Sequence, residues 1–190
     1  MPRRKRPEYR HHPDDKTRQV VEPLRRHIVE LQQDMDDLPS EGEHYASIYV
    51  NVGSGATAQT TNGSADTFDV VTGFATEGAN GDDEGLEADK AKNRVVLSEI
   101  GAYEIGFTCS FSGSANAVMT CKAFIDGTAC PNCVFTRKLG GTGDVGSASF
   151  IGVVGDVSAG AVLDVRVACD GTSKSFKPWH MALSAHHLHS

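Results

Sequence analysis

A chain of 190 residues, 39% hydrophobic and 23% charged with a net charge of −7, has room for one domain of ordinary size plus an appendage, and for a core that needs no disulfide staples. The charge is lopsided: within residues 1 to 12, Arg3, Arg4, Lys5, Arg6 and Arg10 stand against Glu8, a net of +4, so the remainder carries −11. So acidic a body is a poor nucleic-acid surface, because duplex binding is mostly the neutralisation of phosphates by clustered cations, which only the first dozen residues could supply, and no apolar run approaches the roughly 20 residues that span a bilayer.

The first 13 residues hold three prolines and five cations with no hydrophobic period, and predict an extended basic arm. Pro-Glu-Tyr-Arg-His-His follows the cations where a secretory signal needs an apolar run, so the expectation is a soluble protein made in a cytoplasm. Residues 14–40 change pattern. Val21, Leu24, Ile28, Leu31, Met35 and Leu38 are spaced 3, 4, 3, 4, 3, the a/d seam of a heptad. Pro23 suits a first turn and Pro39 a stop, so the spacing predicts a helix from about Glu22 to Leu38. So short a helix is marginal alone in water, and its seam needs two further copies of itself, another protein, or the surface of its own domain.

From Glu41 to the C-terminus the period is two. Ala46, Ile48, Val50 and Val52 alternate, as do Phe68, Val70, Thr72 and Phe74, and residues 77–93 read as a Gly- and acid-rich loop before a short strand at Val95 to Leu97. The strongest signal is Gly101 to Phe111, where Tyr103, Ile105, Phe107, Cys109 and Phe111 take every second position. A strand with so apolar a face requires ladder neighbours and a facing sheet. Ser112 to Asn116 reads as a turn, with Ala117, Met119, Cys121, Ala123 and Ile125 returning as a hairpin partner closed by Asp126-Gly127. Gly146 to Val154 and Leu163 to Cys169 read as a further pair, and Phe176 to Leu188 as the last strand. Eight to ten strands between turn signals predict a mainly β, antiparallel jelly-roll sandwich over residues 41–190.

The run Val95-Val96-Leu97, Gly101-Ala102-Tyr103-Glu104-Ile105, Phe124-Ile125-Asp126-Gly127-Thr128, the Gly/Ser-rich strand at 146–154 and Ser158-Ala159-Gly160 before Val162-Leu163-Asp164-Val165 resembles the jelly rolls of tumour necrosis factor and of complement globular heads. It resembles still more those of bacteriophage virion proteins. That resemblance covers about residues 44–188 and implies a compact homotrimer with an N-terminal stalk, a layout into which the heptad at 21–38 falls. The missing export signal favours the phage branch, whose structural proteins assemble in the host cytoplasm. What the resemblance implies is a structural virion protein, a trimeric capsid decoration or head-fibre protein whose arm and helix dock on the major capsid protein or another virion protein. The alternative is the receptor- or glycan-binding tip of a tail fibre.

Few residues point to chemistry. Cys130-Pro-Asn-Cys133 has the spacing of a redox dithiol or half a zinc site, but no helix follows to stabilise a thiolate and no second pair completes four ligands, so the expectation is a loop disulfide or free thiols. Cys109, Cys121 and Cys169 fall on predicted inward faces as core residues. His186, His187 and His189 cluster at the C-terminus, where a threefold axis would make a single histidine three and so could bind a metal, with His187 and His189 as the candidates; an exposed polar tail is the plainer reading. Asp82, Asp83 and Glu84 lack calcium-loop spacing. There is neither a Gly-x-Ser-x-Gly elbow nor a P-loop, and the expectation is a non-enzyme with no cofactor.

Overall fold

The computed structural model describes residues 22–23, 25–29, 44–51, 57–61, 66–78, 86–171 and 173–189. Its contacts divide the chain into Met1–Glu41 and Gly42–Ser190. In the first unit, residues 22, 23 and 25–29 are helical, with Ile28 and Val29 exposed. The predicted arm (1–13), the remainder of the predicted helix and the seam residues Val21, Leu24, Leu31, Met35 and Leu38 lie outside the described residues.

The second unit is two antiparallel sheets face to face. Its strands in chain order are β1 (Tyr45–Asn51), β2 (Gln59–Thr60), β3 (Asp69–Val70), β4 (Thr76–Glu77), β5 (Leu86–Asp89), β6 (Arg94–Leu97), β7 (Gly101–Gly113), β8 (Val118–Ile125), β9 (Thr128–Lys138), β10 (Val145–Val157), β11 (Ala161–Cys169) and β12 (Ser175–His189). One sheet runs β10-β7-β12-β1-β4 with β2 against β12; the other runs β5-β6-β11-β8-β9 with β3 against β11. The chain changes sheet at every step except between β1 and β2, β5 and β6, and β8 and β9, and the crossings from β6 to β12 trace the double Greek key of a jelly roll.

Two expectations about pairing are corrected. The stretch 117–125 is no hairpin partner of 101–111: β8 pairs with β9 and β11 in the opposite sheet, while β7 lies between β10 and β12. Likewise β10 and β11 do not pair with each other. The physical reason is the apolar stripe, because Tyr103, Ile105, Phe107, Cys109 and Phe111 are all buried and must meet a second apolar face, which a turn that crosses the core supplies and a hairpin does not. The residues after Asp126-Gly127 form an eleven-residue strand, and the loop read at 77–93 contains β5 and a 3-10 turn at Lys90–Lys92. Asp126 and Gly127 both have positive φ, 48° and 77°, which is the two-residue turn that joins β8 tightly to β9.

Aromatic rings fill the centre. Phe107 and Phe111 of β7 face Phe135 of β9 at ring separations of 6.1 and 6.3 Å, Phe150 lies 5.6 Å from Phe107, and Phe176 lies 5.1 Å from Phe111. Pro178 sits in β12, a strand with neighbours on both sides, where a missing N–H would normally break the ladder. It is accommodated by a bulge between Pro178 and His180, and the indole N–H of the intervening Trp179 donates to Ser112 Oγ at 3.0 Å. Phe111→Ala empties the middle of the ring cluster and is expected to cost about 3–5 kcal/mol in urea unfolding, whereas Val134→Ala on the outer surface should stay within about 0.5 kcal/mol. A cost below about 1 kcal/mol at Phe111 would contradict this account of the core.

Candidate functional site

The outward face of the first sheet is built from positions that alternate with the core stripe, and the register aligns them in rows across β10, β7, β12 and β1. Those rows are Val153–Glu104–His186–Tyr45, Ile151–Gly106–Ser184–Ser47, Ser149–Thr108–Ala182–Tyr49 and Ser147–Ser110–His180–Asn51. The middle of this face is made of small side chains. A Cβ added at Gly106 would approach Ser184 Oγ to 3.0 Å, so Gly106 lets that serine lie flat over β7. Two shallow depressions of about 320 and 380 Å³ share Thr108 and Ala182 as floor. Apolar side chains rise on either side: Ile151 and Val153 on β10, 67% and 50% exposed, and Tyr45 and Tyr49 on β1. Across these rows the only carboxylate is Glu104 and there is no lysine or arginine.

The other sheet presents a different outer face. Arg166 donates through Nε and an Nη to both oxygens of Asp164 at 2.7 and 3.0 Å, and its guanidinium lies 4.4 Å from the Phe124 ring centroid. Lys122 Nζ stands 5.1 Å from the Phe68 ring, which itself packs on Phe124 at 5.5 Å. Charges and rings on this face already satisfy one another within the chain.

Cys130 and Cys133 lie within β9 and not in a loop, a further correction, and both are buried. They fit because β9 bulges: Lys122 pairs with Val134 and Phe124 with Ala129, so residues 130–133 stand opposite Ala123 alone. Asn132 Nδ2 pins the bulge to the carbonyl of Val153 at 2.7 Å, and Gly152 leaves room for Cys133 Sγ, which would lie 2.7 Å from any Cβ there. Burial, helped by the neighbouring Cys130, pushes the Cys133 thiol up to about 11, and burial raises Cys130 against a hydrogen bond from the Ile125 N–H. Cys109, Cys121 and Cys169 are buried as well, with burial carrying Cys109 to about 12 and raising the other two. All five are free thiols, and such protonated, enclosed sulfur is the opposite of a redox nucleophile.

The remaining candidates are scattered. The His187 ring packs on Tyr103 at 4.9 Å and on His44 at 6.2 Å, and so is no part of a free polar tail; His186 faces outward beside Glu104, and the side chain of His189 lies outside the described residues. Asp82, Asp83, Glu84 and the cations Arg3, Arg4, Lys5, Arg6 and Arg10 also lie outside them. Among the described residues no three His, Cys, Asp or Glu side chains group to hold a metal ion, and no helix is long and apolar enough to cross a membrane. The sequence reading passed over Tyr45, Tyr49, Ile151, Val153 and the small residues between them. A signal existed in the gap positions of 101–111, because Gly106, Thr108 and Ser110 are not the lysines and glutamates of a solvated face.

No protein-family model matches the chain, and no curated protein sequence does. Among solved structures, the chain is similar to Eiger TNF from S. frugiperda, with a TM-score of 0.49 and 13% identity over 79% of this chain and 95% of that one. It is also similar to murine APRIL, with a TM-score of 0.47 and 14% identity over 76% of this chain and 99% of that one. The jelly-roll assignment rests on the strand order itself.

Raised thiol pKa values have a measurable consequence. At pH 8 a thiol of pKa about 11 is ionised in roughly one molecule in a thousand, against roughly one in four for an ordinary cysteine. Disulfide reagents should therefore leave the native thiols largely unreacted and titrate all five after denaturation; rapid native reaction of two thiols would contradict the burial of the Cys130–Cys133 pair. Because the folded pKa values lie above the unfolded one, the stabilisation is complete below about pH 8.5. It is lost as pH climbs through about 11 and 12.

Proposed function

We propose that the chain is a self-associating structural protein of a virion, a homotrimeric capsid decoration or head-fibre protein whose β-sandwich meets its copies through the outward face of the first sheet and whose N-terminal segment attaches to the shell. One observation supports the self-association above all: a body carrying −11 beyond its first 12 residues keeps that sheet face almost free of charge. Two equally acidic surfaces repel on approach, so a second copy is best received on the face that carries a single carboxylate, Glu104. The relief suits a neighbour too. Ile151 and Val153 project at the β10 flank while Thr108, Ala182 and Ser184 form a hollow beside them, which favours a heterologous contact, one copy's ridge in the next copy's hollow, of the kind that closes into a ring.

The composition of the arm supports attachment to the shell. Five cations and three prolines in the first 13 residues suit an extended segment that follows an acidic protein surface, and three tethered arms per trimer raise the effective concentration enough for weak contacts to hold. The acidic body behind the arm favours protein over nucleic acid as the partner.

The native protein at micromolar concentration should sediment at about three times the 20.2 kDa chain mass. Ile151→Glu, which places a charge on an exposed position of the ridge, should give a folded species of single-chain mass; an unchanged mass would remove the sheet face from the interface, and a stable wild-type monomer would remove the trimer. Deleting residues 1–13 should leave the trimer intact but unable to add to particles that lack the protein. Equal decoration by the truncated trimer at physiological salt would show that the arm is not the anchor.

A further inference from the structure

We propose that His44 and His187 hold a divalent cation of the zinc class between their Nδ1 atoms, at the end of the sandwich where β1 begins and β12 finishes. The two residues are directly opposed, one step beyond the Tyr45–His186 pair, and the His187 N–H donates to the His44 carbonyl at 2.8 Å. Their rings stand 6.2 Å apart at 62°. An ion bound at about 2.0–2.1 Å to each of two imidazoles needs ring centres about 5 to 6 Å apart, depending on the angle at the metal, so a small closure of the pair suffices.

Tautomer and burial give the pair its chemistry. His187 Nε2 lies 3.3 Å from the carbonyl oxygen of Ile100, and a carbonyl can only accept. In the neutral ring Nε2 therefore carries the proton and Nδ1 keeps a lone pair, the arrangement by which a backbone carbonyl orients a metal-binding histidine. His44 Nδ1 is buried and has no hydrogen-bond partner among the described residues. A buried ring nitrogen without a partner is uncommon in folded proteins, and a cation shared with the neighbouring imidazole satisfies it. Tyr103 closes the far side of His187 at 4.9 Å, with its own hydroxyl donating to the Glu99 carbonyl at 2.8 Å. Two neutral imidazoles suit a borderline ion such as Zn²⁺ better than Mg²⁺ or Ca²⁺. As no third ligand stands near among the described residues, water completes the sphere. Bound there, the ion fastens the first strand of the sandwich to the last.

The test uses the full-length protein and Zn²⁺ alone, followed by titration calorimetry and by thermal unfolding. One ion per chain should bind and raise Tm. His44→Gln and His187→Gln should each weaken binding at least about tenfold and abolish the rise, while His180→Gln, on the outward sheet face, should keep both. Binding and Tm shift unchanged in both variants, or absent in the parent, would overturn the proposal. Should either variant fail to fold, the parent still decides: Zn²⁺ should protect His44 and His187 from diethyl pyrocarbonate, located by mass spectrometry, and equal modification with and without the ion would overturn it.

Discussion

The rest of this structure depends on one strand having two unlike faces. β7 turns Tyr103, Ile105, Phe107, Cys109 and Phe111 inward and Glu104, Gly106, Thr108 and Ser110 outward. The inner face forces a second sheet into existence, because so much apolar area cannot remain wet. The chain therefore crosses the core after β7 and again before β10 and β12, which return to flank it. Burying the aromatic stripe and laying out the small-residue face are the same event, since side chains on a strand alternate strictly.

The proposed contact surface stands out through what it lacks. On an acidic body, a sheet face with one carboxylate and no lysine or arginine in four consecutive rows forgoes the usual means of keeping a surface solvated. The second sheet is closed off in another way, with Arg166 held by Asp164 and stacked on Phe124. The two faces of the sandwich thus differ in kind: one is chemically satisfied by its own chain, the other carries a single carboxylate and is edged by Ile151, Val153, Tyr45 and Tyr49.

The sequence made the inward stripe of β7 and the two-sheet architecture legible because period-two alternation survives wherever one face is dry. β9 was hidden by two local signals, since Asp126-Gly127 reads as the end of a strand and Cys-Pro-Asn-Cys as a loop, yet the bulge opposite Ala123 absorbs both the proline and the off-period cysteines. The alternation from Phe68 to Phe74 misled in the other direction. Only Asp69 and Val70 pair, with Phe68 packing outside on Phe124 while Val71 and Phe74 turn into the core, so a crossing segment imitates a strand. Pairing partners were the least legible, because a turn of five residues serves a hairpin or a sheet crossing equally and only packing decides. The outward face was passed over for a related reason, as small residues in the gaps of an apolar stripe carry no motif.

The measurement that bears most directly on the central claim is hydroxyl-radical footprinting of the assembled protein, read residue by residue. Tyr45, Tyr49, Ile151 and Val153 are all exposed in the single chain, as are Ile100, in the turn before β7 and outside the four rows, and Val134, on β9 of the other sheet. If copies meet through the first sheet, the four face residues should be protected at high protein concentration and become labelled on dilution below the association range, while Ile100 and Val134 are labelled alike throughout. Labelling of Tyr49 and Ile151 as strong as that of Ile100 in an assembled trimer would place the contact elsewhere and contradict the account.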